Sequence, residues 1–361
     1  KTLIQRQSCR ELLCPTPKCV PMLRRAAVRL VRAAVLDDPR PCAAELHRLL
    51  VAGGIPCDSL GLPVGTSELP SIDAEVVFSY KARVTASNVG QLGKCRVLVR
   101  LGVGYDNLDV TACSASGIKV CNIPDAGTEE VADTAFWHIL SFYRQTSRFA
   151  VRACMEQATA GLLMQAVAEA KATRIRGLTL GIVGLGRIGT AVALRAKPFG
   201  FRIVAYDPFV PNGTEKGIGI ERIAELQDLL RQADCVSLHC TTQDTGPAAN
   251  VGMLDADAFA AMKPGSLLVN TARGELIEPT ALVAALRSGH LAAAHLDAAP
   301  NEHFAFGEGW LADAVDLLGS KLLLTPHMAW FSNEAQAEIA HLAAETAIRF
   351  KQGLPLRNAV N

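Results

Sequence analysis

Residues 178–189 read LTLGIVGLGRIG, an apolar strand that runs into Gly184-Leu185-Gly186-Arg187-Ile188-Gly189 and from there into a helix. In that order Gly184 makes the turn, Gly186 lets backbone approach a pyrophosphate, and Gly189 lets helix and strand pack closely. The phosphates would meet the helix N-terminus at Arg187 and Ile188, where free N–H groups and the dipole favour anions. A bare Gly-x-Gly-x-x-Gly often reflects tight packing alone. Here the next strand, RIVAY, ends at Asp207, about 20 residues on, where a carboxylate can bond both ribose hydroxyls and repel a 2′-phosphate. The expected ligand is NAD(H) rather than NADP(H). Arg187 either contributes to the pyrophosphate or is a solvated arginine at a helix start.

Working outward, the chain downstream of Gly177 reads as at least six strands: LTLGIVGLG, FRIVAYDP, CVSLHC, GSLLVNTA, LAAAHLDAA and KLLLTPH. Helical patterns separate them in RIGTAVALRAKPFG, RIAELQDLLRQA, DAFAAM and PTALVAALRSG. That alternation predicts an α/β fold with a Rossmann-type doubly wound parallel sheet. Upstream, LVRAAVLDD, CAAELHRLLVAG, EVVFSY, TASNVGQL and CRVLVRLGVG alternate in the same way and predict a second α/β unit, with TASNVGQL a helix opened by Thr85, Ser87 or Asn88 as N-cap. A helix is expected from about Thr128 to Arg148, opened by the capping signal of Thr128 with Glu129 and Glu130 in its first turn. Another is expected over 333–352, which returns to pack on the first unit. The implied organisation is a basic arm over 1–31, a discontinuous flavodoxin-like domain over 32–126 and 331–361, and a nucleotide-binding domain over 127–330.

The 361 residues suffice for two or three domains, and 36 Lys and Arg against 35 Asp and Glu leave a net charge of +1. No global field therefore drives binding to nucleic acid or to a membrane surface. No apolar run approaches the roughly 18 to 20 residues of a membrane span. The eleven cysteines form no Cys-x-x-Cys pair and read as reduced thiols. Cys9, Cys14 and Cys19 recur every five residues, wider than zinc ligands are usually spaced, so no metal is expected. The arm around them is rich in arginine and proline and reads as a solvated tail, with a transit peptide as the minority reading.

The chemistry is expected at strand ends, where sheets of this kind expose their crevice. Asn270-Thr271-Ala272-Arg273-Gly274 follows LLV, Asp297 to Glu302 closes the next strand, and Thr325-Pro326-His327-Met328-Ala329-Trp330 closes the last. Arg273, Glu302 and His327 thus form an acid–base set beside the nicotinamide pocket. Histidine ordinarily titrates near neutrality, which makes His327 the natural proton donor. Glu302 would favour the imidazolium and orient the ring, while Arg273 would bind and polarise a 2-oxo acid.

With these segments in view, the chain resembles the D-isomer-specific 2-hydroxyacid dehydrogenase family, through GLTLGIVGLGRIG, LLVNTARGELIE, the Asp297–Glu302 segment and TPHMAW. It further resembles that family's corepressor branch, the C-terminal binding proteins, from about Val31 to Asn361, through RLGVGYDNLDV, VCNIPDAGTEEVADTAFWHIL, RAKPFGFRIVAYDP, LQDLLRQADCVSLHC and RNAVN. The resemblance implies Arg273, Glu302 and His327 as the catalytic set, and Arg100, just before Gly102, as a carboxylate ligand from the other lobe. It also implies Asp297 on the nicotinamide carboxamide, His239, Cys240 and Thr241 on the adenosine side, and Asn270, Thr271, Ala272 and Arg273 beneath the nicotinamide ribose. Asp297 as a strand cap and His239 as a core histidine are the alternatives. Trp330 would line the substrate pocket, as in the corepressor branch. That branch implies an NAD(H)-regulated transcriptional corepressor of nucleus and cytoplasm, a homodimer or tetramer promoted by NAD(H), with a groove near 35–50 for Pro-x-Asp-Leu-Ser partners. A small 2-oxo acid is the implied substrate, and neither a membrane nor sequence-specific nucleic acid is an expected partner. The alternative is a metabolic NAD-dependent dehydrogenase.

Overall fold

The computed structural model describes residues 30–38, 40–146, 172–242, 249–301 and 308–361. The arm with Cys9, Cys14 and Cys19, and the pair Glu302 and His303, lie outside the described residues. Five strands, β1 (Ala33–Val35), β2 (Cys57–Ser59), β3 (Val76–Ser79), β4 (Val97–Arg100) and β5 (Lys119–Cys121), form one parallel sheet in the order β2-β1-β3-β4-β5. This is the flavodoxin-like order. Alternation puts Val35, Phe78 and Val99 on one face and Ala34, Val77 and Leu98 on the other. Both faces are buried, as a parallel sheet requires. The first face is covered by the helices Cys42–Ala52 and Asn333–Lys351, which bring in Leu46, Leu50, Ile339, Ala343 and Ala347.

The second sheet holds β6 (Thr179–Val183), β7 (Arg202–Tyr206), β8 (Glu221–Arg222), β9 (Cys235–Leu238), β10 (Ser266–Asn270), β11 (Leu291–Leu296) and β12 (Leu322–Leu324). Its order is β12-β11-β10-β9-β6-β7-β8, all parallel, so the chain winds outward from β6 in one direction and then from β9 in the other. Ligands of such sheets bind at that reversal, outside the carboxyl ends of the strands. Leu180, Ile182, Ile203 and Val269 face the helices Thr128–Arg144 and Arg187–Ala196. Val204, Val236, Leu268 and Leu296 face Leu226–Gln232, Ala256–Ala261 and Pro279–Ser288.

Local structure departs from expectation in three places. TASNVGQL makes only the 3-10 turn Val89–Leu92, because the Asn88 side chain accepts from Thr85 N at 2.8 Å and donates to Ser67 O and Arg83 O instead of capping a helix. Thr128 does not cap its helix: Gly127, at φ 95°, holds the cap position without a side-chain bond. That helix ends at Arg144, ahead of Gln145 at φ 56° and short of Arg148. The final helix does receive a cap, from Ser332 Oγ to Ala335 N at 2.8 Å. Among the described residues no cysteine is paired, no three metal-ligating side chains cluster, and no helix is long and apolar enough to cross a membrane.

Candidate active site

The crevice begins where β6 ends. Gly184 takes φ 95°, a conformation that L side chains rarely adopt, and its N–H donates to Tyr206 O at 2.9 Å. A Cβ on Gly189 would run into the carbonyl oxygen of Gly184, whereas one on Gly186 would meet nothing within 4 Å. The open side of the turn therefore lies at Gly186, at the start of a helix that has no side-chain cap. Uncapped N–H groups facing open space fit a pyrophosphate. Asp207 closes the turn from the end of β7: Oδ2 accepts from Leu185 N at 2.8 Å, and Oδ1 accepts from Phe209 N at 2.8 Å and Val210 N at 3.2 Å. Arg187 and Ile188 open the helix, and the exposed Arg187 guanidinium stands 3.9 Å from Asp125.

Across the reversal point, His239 at the end of β9 shares a hydrogen bond between Nε2 and Ser237 Oγ at 2.8 Å, while its Nδ1 is buried without a partner. Desolvation pushes this imidazole down to about 3, so it is neutral at physiological pH. Burial likewise pushes the neighbouring Cys240 thiol up to about 12. Thr241 O accepts from Asn250 Nδ2 at 2.7 Å. Asn270, fully buried, donates to Arg273 O at 2.7 Å and Ala298 O at 2.9 Å and accepts from Ala272 N at 2.9 Å, which shapes the turn that presents Thr271 and Arg273. The Thr271 hydroxyl is buried without a partner. An open glycine turn, an uncapped helix start, Asp207 and two orphaned polar atoms make a set of donors and acceptors that fits a dinucleotide.

Asp297 lies at the end of β11 with 1% of its surface exposed. Its carboxylate accepts from Thr325 Oγ1, from Met328 N at 3.0 Å and from Ala329 N at 2.8 Å. His327 N donates to Asp297 O at 3.0 Å. Asp297 thus shapes the loop after β12 that carries His327 in the left-handed region, at φ 51°, and Trp330. Trp330 Nε1 donates to His327 O at 3.1 Å, tying the indole to the histidine backbone.

Three arginines gather around the first-lobe loop that follows β4, where Arg40 Nη2 donates to Leu101 O at 3.3 Å. Arg100, at the end of β4, runs beside Gly102, where any Cβ would collide with its Nη1. Its Nε is buried without a hydrogen-bond partner, and burial, reinforced by the charges of Arg40 and Arg273, pushes it down to about 10. Arg273 reaches from the second lobe to the same loop, with Nη2 beside Gly104, Nε on Asp106 Oδ2 at 3.0 Å and Nη1 on Ala272 O at 2.7 Å. The structure therefore brings together Arg100, Gly102 and Arg273, and links Trp330 to His327. The sequence reading missed Arg40, whose guanidinium lies 3.9 Å over the Tyr80 ring and 5.4 Å from the Trp330 ring while bonding both Asp38 oxygens, at 2.7 and 2.8 Å. Tyr80, Asp38 and Asp106 were missed with it. Arg40 and Asp38 follow β1, and the strand-end rule that singled out Arg273 would have found them.

A model of the D-isomer specific 2-hydroxyacid dehydrogenase NAD binding domain matches residues 136–329. The chain is 32% identical over 315 residues to C-terminal-binding protein 1 of Caenorhabditis elegans, covering 87% of this chain and 42% of the relative. It is 35% identical over 296 residues to D-3-phosphoglycerate dehydrogenase of Mycobacterium leprae, covering 81% and 52%. The chain thus spans about half the length of these curated relatives. The apo form of Rhodotorula graminis D-mandelate dehydrogenase matches with a TM-score of 0.78 at 29% identity, over 92% of this chain and 98% of that one. Apo D-lactate dehydrogenase of Escherichia coli, at 24% identity, TM-score 0.75 and coverage of 91% and 100%, shares the fold. Parallel sheets in these two orders, a glycine turn closed by an aspartate and a family match over more than half of the residues lead to one assignment: the chain belongs to the D-isomer specific 2-hydroxyacid dehydrogenase family, whose NAD-binding domain it carries.

Proposed function

We propose that the protein is an NAD(H)-dependent oxidoreductase that interconverts small 2-oxo acids and D-2-hydroxy acids. Arg100 carries this reading. It is a guanidinium in the cleft with a buried, unpartnered Nε, and among the described residues no carboxylate is ion-paired with it, whereas Arg40 has Asp38 and Arg273 has Asp106. A substrate carboxylate would supply the missing anion and relieve the repulsion among the three arginines. Arg100 and Arg273 then grip it from opposite lobes, and Arg273 polarises the 2-oxo group. His327 delivers a proton to the oxygen on C2, and Glu302 orients its ring. The glycine turn, Asp207, His239, Cys240, Thr241 and Thr271 would hold the dinucleotide, and Asp297, besides shaping the His327 loop, would meet the carboxamide. NADH, when bound, supplies hydride to C2. The test is NADH oxidation by purified protein with pyruvate, 2-oxobutyrate, phenylpyruvate and 3-phosphohydroxypyruvate. The reading fails if none of them is reduced.

A second reading is favoured by the similarity to the nematode C-terminal-binding protein over 87% of this chain and by Trp330 in the cleft. On it the protein is an NAD(H)-regulated transcriptional corepressor of nucleus and cytoplasm, assembled into homodimers or tetramers by NAD(H). It would recruit Pro-x-Asp-Leu-Ser partners to a groove near 35–50 without contacting specific DNA sequences or membranes. In that segment Arg40 and Asp38 bond each other and Cys42 is buried, which leaves fewer side chains for such a peptide. Titration with a Pro-x-Asp-Leu-Ser peptide separates the readings: strong turnover without peptide binding leaves the metabolic dehydrogenase.

A further inference from the structure

Asp106 is the carboxylate that meets Arg273 from the other lobe. It stands on the first lobe two residues past Gly104, and its Oδ2 accepts from Arg273 Nε of the second lobe at 3.0 Å. Arg273 Nη1 is held by Ala272 O at 2.7 Å. Two of the three guanidinium nitrogens are therefore fixed, one from each lobe, and because the group is planar and rigid the direction of Nη2 is fixed with them. That remaining nitrogen lies beside Gly104, where a side chain of any size would displace it. The Asp106 side chain is 60% exposed, so the ion pair adds little to stability. What it supplies is orientation. Its negative charge also offsets part of the repulsion between Arg273 and Arg100.

We propose that Asp106 is a positioning residue: by accepting from Arg273 Nε across the cleft it aims Arg273 Nη2 at the carboxylate of a 2-oxo acid. This rests on the oxo-acid reading above and adds to it a residue that touches no substrate atom. Removing Asp106 would free the guanidinium to rotate about its long side chain, and substrate would then meet it in several orientations.

The measurement is binding of oxamate, a non-reacting analogue of a 2-oxo acid, to the NADH-loaded protein by calorimetry, with turnover of pyruvate alongside. Asp106→Ala is expected to weaken oxamate and to lower kcat/KM by about 10-fold or more, with NADH affinity unchanged within about 2-fold. Asp106→Asn, which keeps an acceptor at the same reach, is expected to recover most of the loss. In an Arg273→Lys background, which has no Nε donor of that geometry, Asp106→Ala should change oxamate affinity less than about 2-fold. Unchanged oxamate affinity in Asp106→Ala, an undiminished loss in the Arg273→Lys background, or a parallel loss of NADH affinity would each overturn the assignment. Wild-type protein that binds oxamate through Asp106 but reduces nothing supports the positioning role and removes the reductase reading; no oxamate binding at all removes both.

Discussion

In the proposed reaction Arg273 and His327 have different parts, and their variants should separate. There Arg273 would contact the acid before and during hydride transfer, so Arg273→Lys, which keeps the charge but loses the planar fork, is expected to raise KM and lower kcat together. His327 would matter when the proton moves, so His327→Ala should lower kcat by on the order of 10²-fold with a smaller change in KM. Steady-state kinetics with the best 2-oxo acid checks both, and an unaltered kcat in His327→Ala would remove it from proton transfer. Asp207 holds the loop as well as being the proposed ribose ligand. Asp207→Ala should relax the preference for NADH over NADPH, and by leaving the N–H groups of Leu185, Phe209 and Val210 without their acceptor it should also cost about 1–3 kcal/mol. A selectivity ratio equal to that of wild type would count against the ribose assignment.

Between residue and molecule, the helix Thr128–Arg144 meets β11 through two histidines. His138 is fully buried with neither ring nitrogen bonded, and its ring stands 5.5 Å from that of His295. Burial, with a smaller contribution from His295, pushes His138 down to about 3, and burial pushes His295 down to about 4. Both are neutral in the folded protein, whereas an unfolded chain takes up protons below about 6.5. The stability they favour is thus fully present above pH 6.5 and is lost as pH falls from there towards 3, because over that window the unfolded chain binds more protons. Urea titrations at pH 7.5, 6 and 5 should show stability falling, and His138→Leu should flatten the fall. An equal slope in the variant would mean that other groups set it. The same elements show what a reader of sequence can and cannot see. β6, β7 and β10 were legible because they are apolar runs ended by Gly184, Asp207 and the Asn270 turn. β2 and β8 were not: CDS and ER are short edge strands, half or fully exposed, and carry no burial signal. TASNVGQL misled because Asn88 spends its side chain on Ser67 and Arg83, a contact that only tertiary structure provides. Asp106 escaped for the same reason, since its meaning lies in Arg273, well over a hundred positions along the chain, whereas Arg40 was within reach of the strand-end rule.

At the scale of the whole molecule, the residues proposed for the two halves of the reaction are divided between the two sheets. The residues suited to the dinucleotide, Gly184 to Gly189, Asp207 and Thr271, belong to the larger sheet. The proposed acid site would draw on Arg100 of the smaller sheet together with Arg273 and His327 of the larger one. Asp106 with Arg273 is a contact that already spans the cleft. NADH alone should therefore stabilise chiefly the larger lobe, by about 2.7 kcal/mol at a concentration 100 times its Kd, read as a rise of a few degrees in Tm. Oxamate alone should add little, because without NADH the Arg273 side of its proposed site is tied to the first lobe by an ion pair whose carboxylate is 60% exposed. With NADH present it should add a further rise, larger than oxamate gives by itself, since it bridges Arg100 and Arg273. Differential scanning fluorimetry with each ligand and with both checks this. Strictly additive shifts would mean that the two sites are independent, and in that case the acid would not be held between the lobes.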